Sequence, residues 1–356
     1  MLKILLFIDS LSSGGAQRQM VGLAKLLQDR KYLVKVIYYH PIYFYRTYLD
    51  EYHISNEYVA GSENKIKRFF LLARAISQFQ PNIVISYLDA PNMIACLLKA
   101  FGMRFRLIAS ERNTSQVLTC YERVKFFLLR WADVLVSNSF SQQRFIEVHF
   151  PHISPKTRVI TNYVDTNLFV PKCGNKREKY RILVVGRISK QKNPLALLQA
   201  VNCLKNEISN FHIDWYGRVD DEIFMQCEAY ITNYQLGDFF SFHKPTYDIV
   251  CEYQQSDFFC LPSLYEGFPN VICEAMSCGL PILCSDVCDN PLLVENGKNG
   301  FLFNPHDVED MANKIKSVLT LSTRELQEMQ TYSRKIAEEK FSVESFINNY
   351  VKLIEG

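Results

Sequence analysis

The sequence predicts an α/β protein made of two doubly wound domains, each with a parallel sheet covered by helices on both faces. Short, continuously apolar runs alternate with amphipathic stretches along the whole chain, which is typical of buried parallel strands joined by helices. The alternation occurs in both halves of the chain, and 356 residues suffice for two domains of ordinary size. A polar segment over 170–179, with proline, glycine and charged residues, separates the halves.

The first half begins with an apolar strand that runs into a loop and a helix, and this order repeats. An apolar run too short for a helix predicts each strand, and apolar residues spaced three and four apart predict each helix. The predicted strands are 3–8, 33–39, 82–86, 106–109, 133–137 and 158–161. The predicted helices are 16–30, 65–79, 92–101, 121–131 and 141–148.

The second half repeats the scheme. Its predicted strands are 181–185, 212–216, 239–242, 257–261 and 281–285, and its predicted helices are 194–206, 222–234, 247–254, 271–278 and 308–320. We expect an N-terminal domain over 1–170, a C-terminal domain over 171–340, and a last helix within 341–356 that can cross back to the first domain. Ligands of such sheets bind at the carboxyl ends of the strands, so two paired domains naturally share a cleft.

Charge is distributed unevenly along the chain. The net charge is only +3, yet residues 1–175 hold 22 basic and 12 acidic residues, whereas the remainder holds 18 basic and 25 acidic residues. The excess of positive charge in the first half predicts an anionic partner there, such as a phosphorylated substrate or an anionic membrane surface. We expect no nucleic-acid partner, because the basic residues are dispersed and no nucleic-acid-binding module is recognisable.

The composition excludes several classes of protein. An apolar fraction of 48% is too high for a disordered chain. No run reaches the ~18 apolar residues that a membrane span needs, and the apolar start over 1–8 is too short for a signal peptide. The 11 cysteines contain no CxxC pair and the histidines have no ligand spacing, so we expect reduced thiols, a cytoplasmic location and no metal site.

Two loops that follow predicted strands are suited to binding an anion. Gly14 and Gly15 lie between the first strand and the first helix, where glycine lets backbone N–H groups approach an anion at a helix N-terminus. Gly186 follows a strand of the second half and precedes Arg187 and Lys192, whose side chains can pair with phosphate. Taken alone, the first loop is equally consistent with a tight turn. For the second loop, an exposed basic turn is the less favoured alternative.

Two glutamates accompany the loop after the predicted strand 257–261. Glu266 lies in the loop itself, and Glu274 falls in the first turns of the helix that follows, so both can point into the same crevice. Carboxylates are suited to pairing with sugar or ribose hydroxyls, and the backbone N–H groups of 267–270 can meet a phosphate. Two glutamates eight residues apart are otherwise ordinary surface charge, and it is their place in this loop that makes them specific.

These residues carry a resemblance to a known family. Glu266-Gly-Phe-Pro-Asn270 and Glu274-Ala-Met-Ser-Cys-Gly-Leu-Pro281 resemble the signature of retaining glycosyltransferases of family four, whose GT-B fold has two Rossmann-like domains facing a central cleft. Further pieces of the pattern occur in order along nearly the whole chain. They are Gly14-Gly-Ala-Gln-Arg18, Ser110-Glu-Arg-Asn113, Asn162-Tyr-Val-Asp-Thr-Asn-Leu-Phe169, Gly186-Arg187 with Lys192-Asn193, Leu261-Pro-Ser263 and Glu295-Asn-Gly-Lys-Asn-Gly300.

The resemblance implies a retaining, metal-independent transfer of a sugar from a UDP- or GDP-sugar, with no cofactor and no bound metal. It implies that Arg187 and Lys192 neutralise the diphosphate, that Glu266 contacts hydroxyls of the transferred sugar, and that these three form the catalytic set. Glu274 would bind the ribose hydroxyls. The other donor contacts implied are Gly15, which would close on the diphosphate from the first domain, Gly186, Gly267, Phe268, Pro269 and Asn270. The sequence contains no Asp-x-Asp metal motif.

The chain departs from the family pattern in two places. Many members have a histidine near the reacting carbon, whereas this chain has Glu111 and Arg112 at the comparable strand end. These two are candidates for acceptor or donor contacts, with a structural ion pair as the alternative. The usual Gly-Gly-x-x-Glu is replaced by Val287-Cys-Asp-Asn-Pro-Leu-Leu293, which lacks the glycines. His243 and Lys244 follow a predicted strand and can lie beside the nucleotide base.

Basic and aromatic residues coincide in two predicted helices, within 65–74 and 123–131. Such segments can lie on anionic lipid, and the alternative is an ordinary packing helix. By analogy with the family, we expect a lipid-diphosphate-linked glycan acceptor at the inner face of the cytoplasmic membrane, in capsule, O-antigen or exopolysaccharide biosynthesis. Two alternatives stay open: a nucleotide-sugar-binding protein of the same fold without transfer activity, and a GT-B nucleotide-sugar epimerase, whose catalytic carboxylates and histidine are not recognisable here.

Overall fold

The fold class is the predicted one. A computed structural model describes residues 1–60, 64–113, 115, 117–172 and 179–356, and within them the chain forms two sheets, one of seven strands and one of six. All strand pairs in both sheets are parallel, with helices in the connections. Most of the predicted linker, 173–178, lies outside the described residues.

The first sheet consists of seven strands. In chain order they are β1 (Lys3–Phe7), β2 (Leu33–Tyr38), β3 (Ser55–Tyr58), β4 (Ile83–Tyr87), β5 (Arg106–Glu111), β6 (Val134–Ser137) and β7 (Thr157–Val159). Their spatial order is β3-β2-β1-β4-β5-β6-β7, so the chain proceeds outwards from the centre in both directions. The helices are α1 (Gly15–Asp29), α2 (Arg46–Glu51), α3 (Lys65–Phe79), α4 (Asp89–Ala100), α5 (Cys120–Leu129) and α6 (Phe140–His149).

Capping residues and apolar packing explain where these helices begin and what they cover. Asn64, Thr119 and Ser139 precede α3, α5 and α6, and their side chains accept hydrogen bonds from amides of the first turn. The inward sides of α3, α4, α5 and α6 join one core with the central strands.

The second sheet has six strands: β8 (Tyr180–Val185), β9 (Phe211–Tyr216), β10 (Phe240–His243), β11 (Phe258–Leu261), β12 (Ile282–Ser285) and β13 (Gly300–Phe303). Their spatial order is β10-β9-β8-β11-β12-β13, which again makes the first strand central. The helices are α7 (Pro194–Leu204), α8 (Asp221–Asn233), α9 (Ile249–Gln254), α10 (Asn270–Ser277), α11 (Asn290–Leu293), α12 (Val308–Leu319), α13 (Thr323–Lys340) and α14 (Val343–Glu355).

The chain forms two compact units, which differ in their bounds from the predicted domains. Unit 1 comprises 1–162 together with 346–356, and unit 2 comprises 163–345. Residues 163–170 belong to unit 2 because the N–H of Val164 donates to the carbonyl of Phe341 at 2.9 Å and Phe169 is part of that unit's core. Most of α14 belongs to unit 1, where the hydroxyl of the buried Tyr350 lies 2.9 Å from that of Tyr87.

Two further findings concern expectations drawn from composition. Within the described part of the chain, no helix is both long and apolar enough to cross a membrane. Ten cysteines fall within that part, and all ten are free thiols, most of them in or beside the apolar cores.

Candidate functional site

The predicted donor residues of unit 2 follow its two central strands. β8 and β11 are paired neighbours, and parallel strands end at the same edge of a sheet. Gly186, Arg187 and Lys192 follow β8, and Glu266 lies in the loop after β11. The fold therefore gathers Lys192 and Glu266, which are 74 positions apart in the sequence, at one edge, which is where doubly wound sheets bind ligands.

The loop after β8 is shaped by the close approach of two backbone segments. A Cβ added at Gly217 would lie 1.9 Å from the carbonyl oxygen of Gly186, so only glycine fits there. That same oxygen accepts a hydrogen bond of 2.8 Å from the indole N–H of Trp215. A Cβ added at Gly186 would lie 3.3 Å from Cε of Lys192. The lack of a side chain at Gly186 thus leaves room for the lysine stem to lie against the backbone.

Lys192 and Glu266 form an ion pair between the ammonium group and Oε1. The pair is largely buried, with 16% of the lysine and 9% of the glutamate side chain exposed. Lys192 ends a short 3-10 helix (Lys190–Lys192), and the next residue, Asn193, has the left-handed φ of 55° that turns the chain into α7. The structure thus brings together two of the three predicted catalytic residues.

Arg187 is exposed in the same loop, between β8 and the 3-10 helix. Its side chain has no hydrogen-bond or ion-pair partner among the residues that the structure describes. A guanidinium without an internal partner is available to a phosphate, for which its fork of N–H donors is suited.

Glu274 lies on α10 and is almost fully buried, as only 4% of the residue is exposed. Its Oε2 accepts a hydrogen bond of 3.0 Å from the hydroxyl of the fully buried Tyr253 on α9. Tyr253 is a neighbour that the sequence did not predict. It occupies an apolar position of a predicted helix, where an aromatic residue is indistinguishable from ordinary core.

The loop between Glu266 and α10 offers its backbone and not its side chains. Phe268 is buried in the unit 2 core, with its ring centre 5.6 Å from that of Phe341. Pro269 is the N-cap residue of α10, which starts at Asn270. A proline side chain has no acceptor for the first-turn amides, and the positive end of the helix favours an anion. Of the predicted contacts, Gly267 to Asn270 can therefore serve through main-chain groups.

The loop that lacks the family's glycines keeps a left-handed residue. Cys288 has a φ of 50°, a conformation that is uncommon for residues other than glycine. Its Sγ accepts a hydrogen bond from the N–H of Glu266 at 3.5 Å. Asn290 donates from Nδ2 to the carbonyl of Ser285 at 2.9 Å and so closes the turn. The backbone turn thus forms with cysteine in place of glycine, and it packs against the glutamate loop.

His243 lies at the end of β10 within a polar cluster. Its Nε2 is 2.6 Å from Oδ1 of Asp214, and its ring stacks on Tyr216 at 4.5 Å. Arg181 Nε donates to Oδ2 of Asp214 at 2.5 Å, and another of its nitrogens pairs with Glu252 at 2.6 Å. Burial alone would raise the pKa of Asp214, but the hydrogen bonds from Arg181 and His243 outweigh it and lower the pKa. Lys244 is exposed next to this cluster.

Gly15 is the first residue of α1 in unit 1, directly after the loop that follows β1. In that loop, Ser10 Oγ donates to Asp9 Oδ1 at 3.1 Å, and Gln17 Nε2 in the first turn of α1 donates to the same oxygen at 3.3 Å. A Cβ on Gly14 would lie 2.3 Å from the side-chain oxygen of Gln17. Hydrogen bonds to Asp9 therefore connect the loop with α1, and the role of Gly15 in holding the donor diphosphate stays a prediction.

Arg112 is buried within unit 1 and does not pair with Glu111. Its guanidinium donates to Oδ1 of Asn162 at 2.6 Å and to the hydroxyl of Tyr350 at 2.9 Å, and it lies 4.2 Å from the ring centre of Tyr87. These contacts join α14 to the sheet. The acceptor or donor role of Arg112 stays a prediction.

Glu111 belongs to a buried ion cluster around Lys125. The lysine ammonium is 2.9 Å from Glu111, 2.8 Å from Glu122 and 3.6 Å from Asp89. Burial raises the pKa of Glu111, although the positive charge of Lys125 opposes this shift. Burial alone would lower the pKa of Lys125, but the negative charges of Glu111 and Asp89 outweigh burial and raise the pKa of the lysine. Glu111 is fully buried, and the partly exposed members of the cluster are Asp89 and Glu122.

The described residues contain no group of three or more His, Cys, Asp or Glu side chains arranged to hold a metal ion. The predicted ligand groups that the structure describes in unit 2 are two cations, Arg187 and Lys192, two carboxylates, Glu266 and Glu274, and the backbone of the loop before α10. This combination fits a ligand that carries both phosphate and hydroxyl groups.

Known proteins resemble this chain in sequence and in structure. The family model Glycosyl transferases group 1 matches residues 166–336. A Campylobacter jejuni protein named GalNAc-alpha-(1->4)-GalNAc-alpha-(1->3)-diNAcBac-PP-undecaprenol alpha-1,4-N-acetyl-D-galactosaminyltransferase is 26% identical over 333 residues, which cover 90% of this chain and 89% of that protein.

Solved structures of low sequence identity share the fold over the whole chain. A glycosyltransferase from Rickettsia africae has a TM-score of 0.88 at 17% identity and covers 99% of this chain and 98% of its own. HepE from Anabaena, solved in complex with UDP and glucose, has a TM-score of 0.86 at 21% identity and covers 100% of both chains. The family match over residues 166–336 and the relative support the resemblance to family four that the sequence predicted, and the solved structures confirm the fold: the chain is a glycosyltransferase with the GT-B fold, and its second half matches the glycosyl transferases group 1.

Proposed function

We propose that this glycosyltransferase moves a sugar from a UDP- or GDP-sugar to a glycan acceptor carried on a lipid diphosphate. The observation that carries the proposal is the ion pair of Lys192 and Glu266 in the loops that follow two adjacent central strands, with Arg187 exposed in the first of these loops and Glu274 on the helix that follows the second. Two cations match a diphosphate, and two carboxylates match the hydroxyls of the ribose and of the transferred sugar.

The comparisons support both substrates. HepE was solved with UDP, and the name of the Campylobacter jejuni relative specifies a PP-undecaprenol acceptor. A lipid-diphosphate acceptor for this chain would place its activity at the inner face of the cytoplasmic membrane, in the assembly of a capsule, O-antigen or exopolysaccharide. The excess of positive charge in residues 1–175 suits such an acceptor, since the donor-binding residues lie in the acidic half.

We infer a retaining transfer that needs no metal ion. The bond between the anomeric carbon and the diphosphate oxygen breaks, and the acceptor oxygen bonds to the same face of that carbon. The acceptor proton passes to the departing diphosphate oxygen, so no side chain has to serve as a strong base. Arg187 and Lys192 stabilise the charge that develops on the diphosphate, as a metal ion does elsewhere. The alpha-1,4 linkage in the relative's name is the product that retention gives from an α-linked nucleotide sugar.

The ion pair gives Glu266 a second function in the donor-free protein. Until a donor arrives, the carboxylate holds Lys192 in place. A bound diphosphate would take over the ammonium group and release the carboxylate to accept hydrogen bonds from sugar hydroxyls. The pair therefore keeps both side chains in the donor site before binding, with the ammonium group positioned for the diphosphate and the carboxylate for the sugar hydroxyls.

A donor screen by thermal unfolding tests the proposal. A nucleotide sugar at a hundredfold excess over its dissociation constant stabilises the folded state by about 2.7 kcal/mol, which raises Tm by roughly 5–10 °C. We expect UDP- or GDP-sugars to do this in the presence of EDTA, and Glu274→Ala to abolish most of the shift. Glu328→Ala, which removes an exposed glutamate on α13, is the matched control.

The outcome separates the alternatives. No shift and no hydrolysis with any UDP- or GDP-sugar would refute the donor assignment. Binding without transfer to a lipid-diphosphate glycan would favour a nucleotide-sugar-binding protein, and inversion of a donor hydroxyl without transfer would favour an epimerase. The anomeric proton of the product, followed by NMR, reports retention directly.

A further inference from the structure

Helix α5 of unit 1 turns apolar side chains towards solvent. Val124 is 58% exposed, Phe127 is 55% exposed, and Trp131, just beyond the helix, is 41% exposed. Residues three and four apart lie on one side of a helix, so these form a stripe. The opposite side, with Phe126 and Leu129, is fully buried. The stripe is thus additional to the side that packs on the sheet.

Arginine side chains accompany this stripe. Arg123 is exposed on the same helix, and Arg130 is exposed directly after its last residue. The guanidinium of Arg130 lies 4.2 Å from the ring centre of Phe127 and 5.7 Å from that of Trp131. The charge is therefore held directly beside the exposed rings.

A second such surface lies on α3. Ile66 and Phe70 are 70% and 66% exposed one turn apart, and the helix carries four basic residues and no acidic one. Phe101, at the end of α4, is 78% exposed and lies 6.1 Å from Phe69, which connects α4 with α3. Here too the exposed apolar groups stand among positive charges.

The two helices cover the same side of the first sheet. Leu72 and Ile76 of α3 and Phe126 and Leu129 of α5 belong to one buried cluster with the central strands. Their outward sides therefore face away from the sheet in the same general direction. We name this surface the basic-aromatic face, defined by Ile66, Phe70, Phe101, Val124, Phe127 and Trp131.

We propose that the basic-aromatic face docks onto a bilayer surface rich in anionic phospholipid. Aromatic and aliphatic groups at this spacing can enter the boundary between head groups and acyl chains, while Lys and Arg pair with anionic head groups. Unit 1 holds 22 basic and 12 acidic residues, so its overall charge favours the same partner. The functional role of this docking rests on the proposed lipid-linked acceptor, because docking would bring the enzyme to the bilayer that holds that acceptor.

Charge complementarity favours lipid over a second copy of the chain. The side chains that turn outwards from α3 and α5 present positive charge, and the acidic residue of α5, Glu122, is paired inwards with Lys125. Two copies meeting through this face would bring like charges together, whereas an anionic bilayer neutralises them.

Sedimentation with vesicles tests the docking. We expect the wild-type protein to sediment with vesicles of equal parts phosphatidylglycerol and phosphatidylcholine, and not with phosphatidylcholine alone. Phe70→Ser with Phe127→Ser should reduce binding at least tenfold, because two rings can no longer enter the interface. Arg123→Glu with Arg130→Glu should reduce vesicle binding even more, by about fivefold or more for each positive charge lost. Arg123→Lys with Arg130→Lys keeps both charges and should bind vesicles as the wild type does.

Controls on unit 2 separate specific docking from a general loss of charge or apolar surface. Met225→Ser removes a 66% exposed apolar side chain from α8, and Lys335→Glu reverses an exposed charge on α13. Neither change should alter vesicle binding. Unchanged Tm values would show that all variants are folded, as expected for changes of exposed side chains.

The result is independent of the donor assignment. Donor binding is read on the same proteins by thermal shift without vesicles. If the wild-type protein fails to bind anionic vesicles at low salt, or if the face variants bind as well as the wild type, the docking proposal is refuted and the proposed function stands. If the wild type does not bind vesicles and the variants of the basic-aromatic face instead abolish a dimer seen in solution, the face is an interface between copies and the proposal is equally refuted.

Discussion

Replacing Lys192 and replacing Glu266 should change the affinity for a nucleoside diphosphate in opposite directions. In the donor-free protein the two side chains neutralise each other, so a diphosphate must compete with the carboxylate for the ammonium group. Glu266→Gln removes the competitor and should tighten the binding of UDP or GDP. Lys192→Met removes the attraction and leaves the carboxylate facing the phosphate, so it should weaken binding.

The size of each effect follows from Coulomb's law. A carboxylate and a phosphate oxygen that share one ammonium group lie about 6 Å apart, two hydrogen-bond lengths. With an effective dielectric constant of about 40, between those of a protein surface and water, their repulsion is about 1.4 kcal/mol, which is tenfold in affinity. The lost attraction at about 3 Å is roughly 2.8 kcal/mol, or about a hundredfold. The double variant should then bind about tenfold more weakly than the wild type.

Stability should change as well, because the pair is largely buried. Removing one partner of a buried ion pair costs about 3 kcal/mol or more, as the other charge is left without compensation. We expect Lys192→Met to lower the free energy of unfolding in urea by about that amount, and the double variant to recover part of it. Calorimetric titration with UDP and GDP measures the affinities of the same four proteins.

A second ion pair nearby provides the control. Lys190 and Glu222 lie 3.0 Å apart with 69% and 67% of their side chains exposed, so Lys190→Met and Glu222→Gln should each cost about 0.5 kcal/mol and leave affinity unchanged. If Glu266→Gln weakened UDP and GDP binding as Lys192→Met does, the carboxylate would not compete for the lysine and the reasoning would be refuted.

Three further predictions concern the surroundings of the site. Arg112→Lys keeps the charge but cannot reach both hydrogen-bond acceptors, so it should lower the free energy of unfolding by about 2 kcal/mol; urea unfolding at wild-type stability would contradict this. Gly217→Ala should lower Tm and weaken UDP or GDP binding, since its Cβ would displace the carbonyl of Gly186; calorimetry showing wild-type affinity would contradict it. Burial raises the pKa of Glu111 despite Lys125, so the folded protein keeps that proton to a higher pH than the unfolded chain does. The stability of the wild type relative to Glu111→Gln should therefore be greatest below pH 4.5 and should decline as the pH rises through the folded-state pKa. Urea unfolding at several pH values that found the opposite slope would overturn this.

The strands with continuous apolar runs were predictable, and the polar or short elements were not. The predicted helix 65–79 coincides with α3 because a capping asparagine precedes a clear amphipathic pattern. β3 (Ser55–Tyr58) was missed because an edge strand of polar residues has no apolar run. The 18-residue α13 was missed because it is rich in charge and buries few side chains, although Ser322 and Glu325 form a capping box that marks its start.

The candidate site was predictable in its chain positions and not in its pairings. The loop motifs placed Lys192 and Glu266 at strand ends, but no spacing rule shows that they pair with each other before any ligand binds. Tyr253 reaches Glu274 through the packing of α9 against α10, which is a tertiary contact. Cys288 shows the reverse case, since the segment 287–293 lacks the glycines of the family pattern and the backbone nevertheless holds a left-handed residue there.

The last helix makes the folding of unit 1 depend on the order of synthesis. Residues 1–162 leave the ribosome first, yet Tyr350, which is buried against Tyr87 and hydrogen-bonded by Arg112, emerges only after the whole of unit 2. Until then the guanidinium of Arg112 lacks one of its two hydrogen-bond acceptors, and the ring of Tyr87 is not covered by Tyr350. The nascent first unit should therefore stay incomplete throughout translation of the second. A truncated chain that ends before α14 keeps every predicted catalytic residue, but its unit 1 should misfold because Tyr350 is missing.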